Sequence, residues 1–316
     1  NFRGFAKASR RRWLNGWWRR RGNPIPDMIL GQETNHHTTE EKEEIRKQWK
    51  RAWQLEKTKN PLSHWQLSQT PFSGMGILVS PTISDRVKPW NQASWTEMIM
   101  AVEMDEWLII NVYAPAKKKE QPHYFKDLEQ WLTQHDTIIL GGDFNCVLRP
   151  SRDRITKRIP STAACESLPL KHLMNKYDMT DGVELHHDLE EEDEKIEALR
   201  YFTRWIKDGA SRLDRFYVKG DAFQATQAVQ VTDAAHDSDH QEKNGPKTIG
   251  ALLQEIKGGN KSTQNNKKRN ISRQQQTSQT GAARSFGVRL KGRDDETRRF
   301  FKRNSEWQRD QSITDI

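Results

Sequence analysis

Long hydrophobic runs are missing from this sequence. Only 34% of its residues are hydrophobic, and the mean hydropathy is −0.98. A membrane-spanning helix needs about 20 consecutive apolar residues, whereas the apolar stretches at 107–112 and 137–140 have the length of strands. We therefore expect no membrane partner.

Cysteine is also scarce. Cys146 and Cys165 are the two cysteines of the chain, which is too few for the disulfide framework of a small secreted protein and suits a reducing compartment. The first residue is Asn1 rather than methionine. We interpret this start as that of a fragment, in which a targeting signal would not be visible.

Acidic residues are absent from the first 26 positions, which include Arg3, Arg10 and Arg11. The tail of residues 241–316 contains 17 Lys and Arg against 8 Asp and Glu, which accounts for the whole net charge of +9. Basic clusters attract polyanions, and nucleic acid is the usual partner. An isolated cluster is equally typical of a solvated helix face. We expect the three arginines to contact nucleic acid.

Strand patterns and helix patterns alternate up to residue 240. Apolar stretches of strand length and strand-like runs predict strands at 27–30, 75–79, 94–103, 107–113, 137–140, 200–206 and 212–218. The amphipathic patterns predict helices at 8–22, 39–58, 120–134 and 166–177. Polar, low-complexity composition predicts disorder over 241–281, with a partial helix at 285–309. The pattern indicates an α+β domain of residues 1–240 and a largely disordered basic tail of 241–316.

The strongest local signal for chemistry is Gly141-Gly142-Asp143-Phe144-Asn145, which follows a buried strand. Two glycines allow a sharp turn, so that Asp143 and Asn145 can project together into a cleft. A carboxylate can orient or deprotonate water while an amide binds phosphate, as phosphodiester hydrolysis requires. The same residue types are common in ordinary turns, which the segment alone would also fit.

Other segments also carry polar groups suited to chemistry. Gln32-Glu33-Thr34 and Asn111-Val112-Tyr113-Ala114-Pro115 end predicted strands, Ser211-Arg212-Leu213-Asp214-Arg215 places an acid inside a strand-like run, and Ser238-Asp239-His240 pairs an acid with an imidazole near residue 240. Taken singly, polar groups at strand ends usually form turns, and a lone histidine is usually not catalytic. Their occurrence as a set in one order is harder to attribute to turn formation.

The ordered set, together with Asn1-x-x-Gly4 and Gly74-x-Gly76-Ile77, resembles the endonuclease/exonuclease/phosphatase superfamily. Within it, the chain is most similar to the apurinic-type endonuclease domain of non-LTR retrotransposons. This closer resemblance lies in the run from Leu140 to Arg154 and in Phe202-Thr203-Arg204-Trp205 followed by Ser211 to Tyr217. The resemblance covers about residues 1–240. It implies a four-layered α/β/β/α sandwich of two mixed β-sheets.

The resemblance implies a metal site. Glu33 would be the principal ligand of Mg²⁺, with Asn1 and Asp239 close to the ion or its waters. Mn²⁺ is the alternative ion. Because Mg²⁺ takes oxygen ligands and keeps several waters, few protein carboxylates are needed.

The resemblance also implies a catalytic role for five residues. Asp143 would position and activate the attacking water, and Asn145 would hold the scissile phosphate. His240 would contact the phosphate oxygens and would be oriented by Asp214. Tyr113 would donate a hydrogen bond to the phosphate or to the leaving oxygen.

The implied function is that of a Mg²⁺-dependent endonuclease that nicks DNA. The resulting 3′-hydroxyl would prime a reverse transcriptase domain of the same element, in the nucleus or otherwise in the cytoplasm. Arg212 is a further residue expected to contact the DNA. Alternatives are an abasic-site repair nuclease, an RNA deadenylase, a phosphoinositide phosphatase, and a catalytically decayed remnant that only binds nucleic acid.

Two departures from the family pattern predict a truncated or degenerate copy. Arg3 stands where the family has Asn or Asp beside the metal. After His240, no hydrophobic pattern corresponds to the family's closing strand, and a missing strand would leave an unpaired edge.

Overall fold

The computed structural model describes Phe2, Gly4 and residues 26–156, 166–184, 201–206, 209–233 and 284–290. The strands are β1 (Met28–Gln32), β2 (Ser63–Gln66), β3 (Met75–Val79), β4 (Val87–Trp90), β5 (Ile99–Met104), β6 (Trp107–Tyr113), β7 (Thr137–Asp143), β8 (Arg154–Thr156), β9 (Thr180–Asp181), β10 (Arg204–Ile206), β11 (Gly209–Ser211), β12 (Asp214–Lys219), β13 (Thr226–Asp233) and β14 (Arg284–Leu290). The helices are α1 (Thr39–Ala52), α2 (Gln121–Leu132), α3 (Pro150–Asp153), α4 (Leu168–Lys176) and α5 (Asp221–Ala225), with a 3-10 turn at Gln92–Ser94.

Two main sheets form the centre of this α+β fold. The large sheet has the order β4-β5-β6-β7-β12-β9 and is mixed, because β6 and β7 run parallel. The small sheet has the order β1-β3-β2, and its described pairs are antiparallel. The expected sandwich is confirmed, but only the large sheet is mixed among the residues that the structure describes.

The alternation of side chains along β3 places the small sheet between two layers. Met75 and Ile77 belong to the core shared with the large sheet. Leu78 points the other way, where it packs with Ile45 and Trp49 of α1. Helices α2 and α4 pack on the large sheet and complete the four layers.

Helix α1 begins and ends for local reasons. Thr38 and Glu41 form a capping box at its first turn. The pattern predicted a helix as far as residue 58, but α1 ends at Ala52. Gln54 adopts a left-handed backbone conformation with a φ of 59°, which an α-helix does not contain.

Several predicted boundaries and elements differ from the structure. Strand β5 starts at Ile99 rather than at 94, because a 3-10 turn and the Thr96 turn occupy the preceding residues. Residues 284–290 form strand β14, which pairs antiparallel with β13, so the helix predicted from 285 is wrong for this part. The predicted helix at 8–22 lies outside the described residues.

Strands β2 and β4 were not predicted, and neither was the third sheet, of order β10-β11-β8.

In the part of the chain that the structure describes, no helix has the length and apolar character needed to cross a membrane.

Candidate active site

Three neighbouring strands of the large sheet bring Tyr113, Asp143 and Asp214 into one row. Tyr113 of β6 is the register partner of Asp143 of β7, and Asp143 is the register partner of Asp214 of β12. Residues directly opposite each other project from the same face of a sheet. This face is the one between the sheets, because Asn111, two residues before Tyr113, donates from Nδ2 to the carbonyl oxygen of Gly31 at 3.1 Å.

Glu33 lies beside the end of this row, on the side of the small sheet and next to Tyr113. It follows β1 directly and has a φ of 53°, a conformation that non-glycine residues rarely adopt outside constrained sites. The hydroxyl of Tyr113 donates to Glu33 Oε1 at 2.7 Å. The backbone N–H of Gly4 donates to the carbonyl oxygen of Glu33 at 2.6 Å. Contacts from two sides therefore hold this carboxylate-bearing residue at the end of β1.

The loop after β7 holds Asn145 against Asp143. Asn145 has a φ of 46°, and its backbone N–H donates to Asp143 Oδ1 at 2.9 Å. Its side-chain Nδ2 donates to the carbonyl oxygen of Ala114 at 2.9 Å. From the start of α2, Gln121 Nε2 donates to the carbonyl oxygen of Asn145 at 3.2 Å. These bonds fix both the backbone and the amide of Asn145.

The two glycines before Asp143 let neighbouring groups approach β7 closely. Gly142 has a φ of 144°, and a Cβ there would lie 2.0 Å from the carbonyl oxygen of Val112. A Cβ on Gly141 would lie 2.3 Å from the ring of Phe216. The sequence pattern predicted a sharp turn at the two glycines, but both lie within β7, where they pair with Phe216 and Arg215 of β12. Gly142 instead admits the neighbouring backbone.

Asp214 is positioned by Thr203. The hydroxyl oxygen of Thr203 accepts from the backbone N–H of Leu213 at 3.2 Å and from that of Asp214 at 3.1 Å. Neither Thr203 nor Gln121 was predicted as part of the site, since their partners lie 10 to 24 residues away in the sequence. The Phe202-Thr203-Arg204-Trp205 run was the one sequence signal that included either of them.

Apart from Arg212, the predicted site residues that the structure describes converge on one end of the sandwich. They are Glu33, Tyr113, Asp143, Asn145 and Asp214. The remaining ones, which are Asn1, Arg3, Arg10, Arg11, Asp239 and His240, lie outside the described residues. The individual catalytic and metal-binding roles stay predictions.

Arg212 does not point outward. It is 2% exposed, and its guanidinium donates to both carboxylate oxygens of Asp181, at 3.1 and 2.7 Å. A second carboxylate, that of Asp153, accepts from Nε at 3.2 Å. The prediction that Arg212 contacts nucleic acid is therefore wrong, because the side chain is buried in an ion-pair network.

The carboxylates of the row suit a hard cation. Among the described residues, no group of three or more His, Cys, Asp or Glu side chains is arranged to hold a metal ion. Mg²⁺ does not need such a group, since it binds one or two carboxylates and keeps several waters. Glu33, Asp143 and Asp214 offer oxygen donors only, so the chemistry of the described donors fits Mg²⁺ or Mn²⁺ rather than a thiolate-bound metal.

A model of the endonuclease/exonuclease/phosphatase family matches residues 10–240. The chain belongs to this family. Its four-layered sandwich is thus the fold of a family of nucleases and phosphatases. No curated protein sequence matches the chain.

Solved structures similar to the chain include a 3′ phosphatase, NExo, from Neisseria, bound to a product DNA hairpin. It is 15% identical with a TM-score of 0.50, over 73% of this chain and 89% of that chain. The AP endonuclease LMAP from Leishmania major is 13% identical with a TM-score of 0.51, over 76% of this chain and 83% of that chain.

The endonuclease domain of TRAS1, a telomere-specific non-LTR retrotransposon, is 15% identical with a TM-score of 0.39, over 56% of this chain and 75% of that chain. At that score it supports no argument about this chain. The likeness to the phosphatase and to the AP endonuclease shows the fold alone.

Proposed function

We propose that the chain is a divalent-metal-dependent phosphodiesterase that nicks DNA and leaves a 3′-hydroxyl end. The observation that carries the proposal is the hydrogen bond between Tyr113 and Glu33 at the end of the Tyr113–Asp143–Asp214 row. It joins the two sheets at the point where both the carboxylates and the amide of Asn145 are held.

Asp143 and Asn145 would act on the water and the phosphate. Asp143 is 8% exposed, and its Oδ1 is oriented by the N–H of Asn145. A carboxylate fixed in this way can hold and deprotonate a water molecule. An amide NH₂ group has two donors, so Asn145 can donate to Ala114 with one and to a phosphate oxygen with the other.

Glu33 would hold the cation, with Asp239 and Asn1 as the further predicted ligands. When bound, the cation would offset the negative charge that gathers on the phosphate in the transition state. The hydroxyl of Tyr113 orients the Glu33 carboxylate. We expect His240 to contact the phosphate and Asp214 to orient it.

The basic amino-terminal residues and tail favour a polymeric polyanion as substrate. The motif run from Leu140 to Arg154 and the segment 202–217 resemble retrotransposon endonucleases. We therefore propose target-DNA nicking for an element's reverse transcriptase, in the nucleus, as the setting of the reaction.

A substrate panel tests the proposal. The whole chain is incubated with supercoiled plasmid, with an abasic-site duplex and with phosphoinositide vesicles, each in Mg²⁺ and in EDTA. We expect open-circular plasmid in Mg²⁺ only, with ends that a DNA polymerase extends without prior treatment. Cleavage of the abasic duplex alone would indicate a repair nuclease. Phosphoinositide hydrolysis alone, or DNA binding without nicking, would overturn the proposal.

A further inference from the structure

A buried charge network lies beside the active-site row. It consists of Arg212, Arg215, Asp153 and Asp181, none of which is more than 3% exposed. Arg215 Nη2 donates to Asp153 Oδ2 at 2.9 Å. The two arginines and two aspartates balance in charge, and each arginine lies within ion-pair distance of both aspartates.

One side of the network holds the loop that follows Asp143. Arg215 Nη1 donates to the carbonyl oxygen of Cys146 at 2.8 Å. Asp153 Oδ2 accepts from the backbone N–H groups of Leu148 at 3.2 Å and Arg149 at 3.1 Å. The network therefore contacts the chain immediately after Asn145 at three points, through one guanidinium and one carboxylate.

The other side of the network holds the start of β12. Arg212 and Arg215 flank Asp214 in the chain. The backbone N–H of Arg212 donates to the carbonyl oxygen of Asp153 at 2.9 Å. The backbone N–H of Phe144 donates to the carbonyl oxygen of Leu213 at 2.9 Å. Asn145 and Asp214 are thus fixed relative to each other from within the protein.

The carboxylate of Asp153 stays ionised at neutral pH. Burial by itself raises the pKa of Asp153, but the positive charges of Arg215 and Arg212 outweigh it and hold this pKa well below its usual range. The ionised carboxylate can then accept hydrogen bonds from both guanidinium groups and from the loop at once.

We propose that Arg215 and Asp153 are positioning residues that act through Asn145. Their hydrogen bonds to the loop set the position of the Asn145 amide relative to the two carboxylates of the row. The proposal rests on the proposed function, because the placement matters only if this amide binds the scissile phosphate. Asn145 also has a strained φ of 46°, and such a conformation persists where its surroundings impose it.

The network is not explained by stability alone. Buried ion pairs are weak evidence for stability, because packed apolar side chains of similar volume often serve as well. A guanidinium differs in that its rigid fork bonds two acceptors in fixed geometry. Here, those acceptors are the carbonyl oxygen of Cys146 and the carboxylate of Asp153.

The substitution Arg215→Lys keeps the positive charge and removes the guanidinium that bonds Cys146 and Asp153 together. We expect kcat for plasmid nicking to fall on the order of 100-fold, the usual consequence of a misplacement of about 1 Å, with KM and DNA affinity unchanged. The matched control is Arg86→Lys. Arg86 pairs with Asp105 at the exposed turn between β5 and β6, at the opposite end of β6 from Tyr113, and this control should leave kcat unchanged.

A double-mutant cycle with Asn145→Ala distinguishes an effect of Arg215 on the position of the Asn145 amide from a general loss of activity. If Arg215 acts through Asn145, Arg215→Lys should have almost no further effect on the single-turnover rate when Asn145 is alanine. Additive losses in kcat would overturn the proposal. So would an equal loss of kcat in Arg215→Lys and Arg86→Lys.

Amide hydrogen exchange tests whether the network holds the loop after Asp143, and it does not depend on an activity assay. Exchange at residues 144–149 should rise in Arg215→Lys and stay unchanged in Arg86→Lys. If the whole chain does not nick DNA, the proposed function fails, while raised exchange still supports the attachment of the loop. Unchanged exchange would overturn the attachment itself. If Arg215→Lys does not fold, Asp153→Asn is measured instead, and it should raise exchange at Leu148 and Arg149.

Discussion

The hydroxyl of Tyr113 donates to Glu33 Oε1 at 2.7 Å, although the two residues are 80 positions apart in the sequence. This hydrogen bond connects the large sheet to the small sheet at the proposed active site. It also fixes the orientation of the carboxylate that we expect to hold the cation.

The substitution Tyr113→Phe tests this bond. Loss of the hydroxyl removes the hydrogen bond from Tyr113 to the Glu33 carboxylate. Removal of a group that orients a metal ligand typically weakens metal affinity about 10- to 100-fold. We expect the Mg²⁺ concentration for half-maximal nicking to rise by this factor.

The matched control is Tyr177→Phe, since the hydroxyl of Tyr177 donates to Glu129 away from the site. Its Mg²⁺ dependence should equal that of the unchanged chain. An unchanged Mg²⁺ dependence in Tyr113→Phe would contradict the assigned role.

Gly142→Ala tests the close approach of β6 and β7. Gly142 has a φ of 144°, and a Cβ would lie 2.0 Å from the carbonyl oxygen of Val112. We expect the free energy of unfolding to fall by on the order of 3 kcal/mol, from backbone strain and overpacking together. Urea denaturation measures this change. Unchanged or increased stability, which alanine gives at sites that accept it, is the opposite result.

The main elements of the site could be predicted from the sequence. Strand β7 combines an apolar run with two glycines and ends at Asp143. Asn145 of the following loop donates to Asp143, so the two residues lie together as the pattern predicted. Strand β6 was predicted with the bounds that the structure gives it. In both cases, the signal lies within a few neighbouring residues.

Features that depend on distant partners could not be predicted. Arg212 is buried because Asp153 and Asp181 lie beside it, 59 and 31 residues away in the chain. The local sequence shows Arg212 only as a basic residue next to Asp214 within a motif and gives no sign of its distant partners. Strand β14 also depends on a distant partner. Its pairing with β13 gives residues 284–290 an extended conformation, whereas their composition indicated a helix.

His64 makes stability depend on pH. It is 3% exposed in β2 and lies edge-on to the ring of Trp95. Burial, with the nearby charges of Arg46 and Lys42, lowers the pKa of His64 from 6.5 to about 4. The unfolded chain therefore takes up the proton more readily than the folded one, and stability is lost as pH falls from about 6.5 to about 4.

The loss attributable to His64 should reach roughly 3 kcal/mol at pH 4, since one pKa unit corresponds to 1.36 kcal/mol. Urea denaturation of the unchanged chain and of His64→Phe between pH 7 and pH 4 measures it as a difference. The exposed His123 supplies the control His123→Phe. Equal pH dependence in all three proteins would show that His64 does not carry the effect.

The substitution Asp143→Asn tests the central claim most directly, because it keeps the size of the side chain and an oxygen that can accept from the N–H of Asn145. Plasmid nicking and DNA affinity are measured with the unchanged chain and the variant, in Mg²⁺ and in EDTA. Our account predicts Mg²⁺-dependent nicking by the unchanged chain and at least about a 100-fold loss in the variant, with salt-sensitive DNA binding retained. Equal nicking by the two proteins, or no nicking by the unchanged chain, would contradict it.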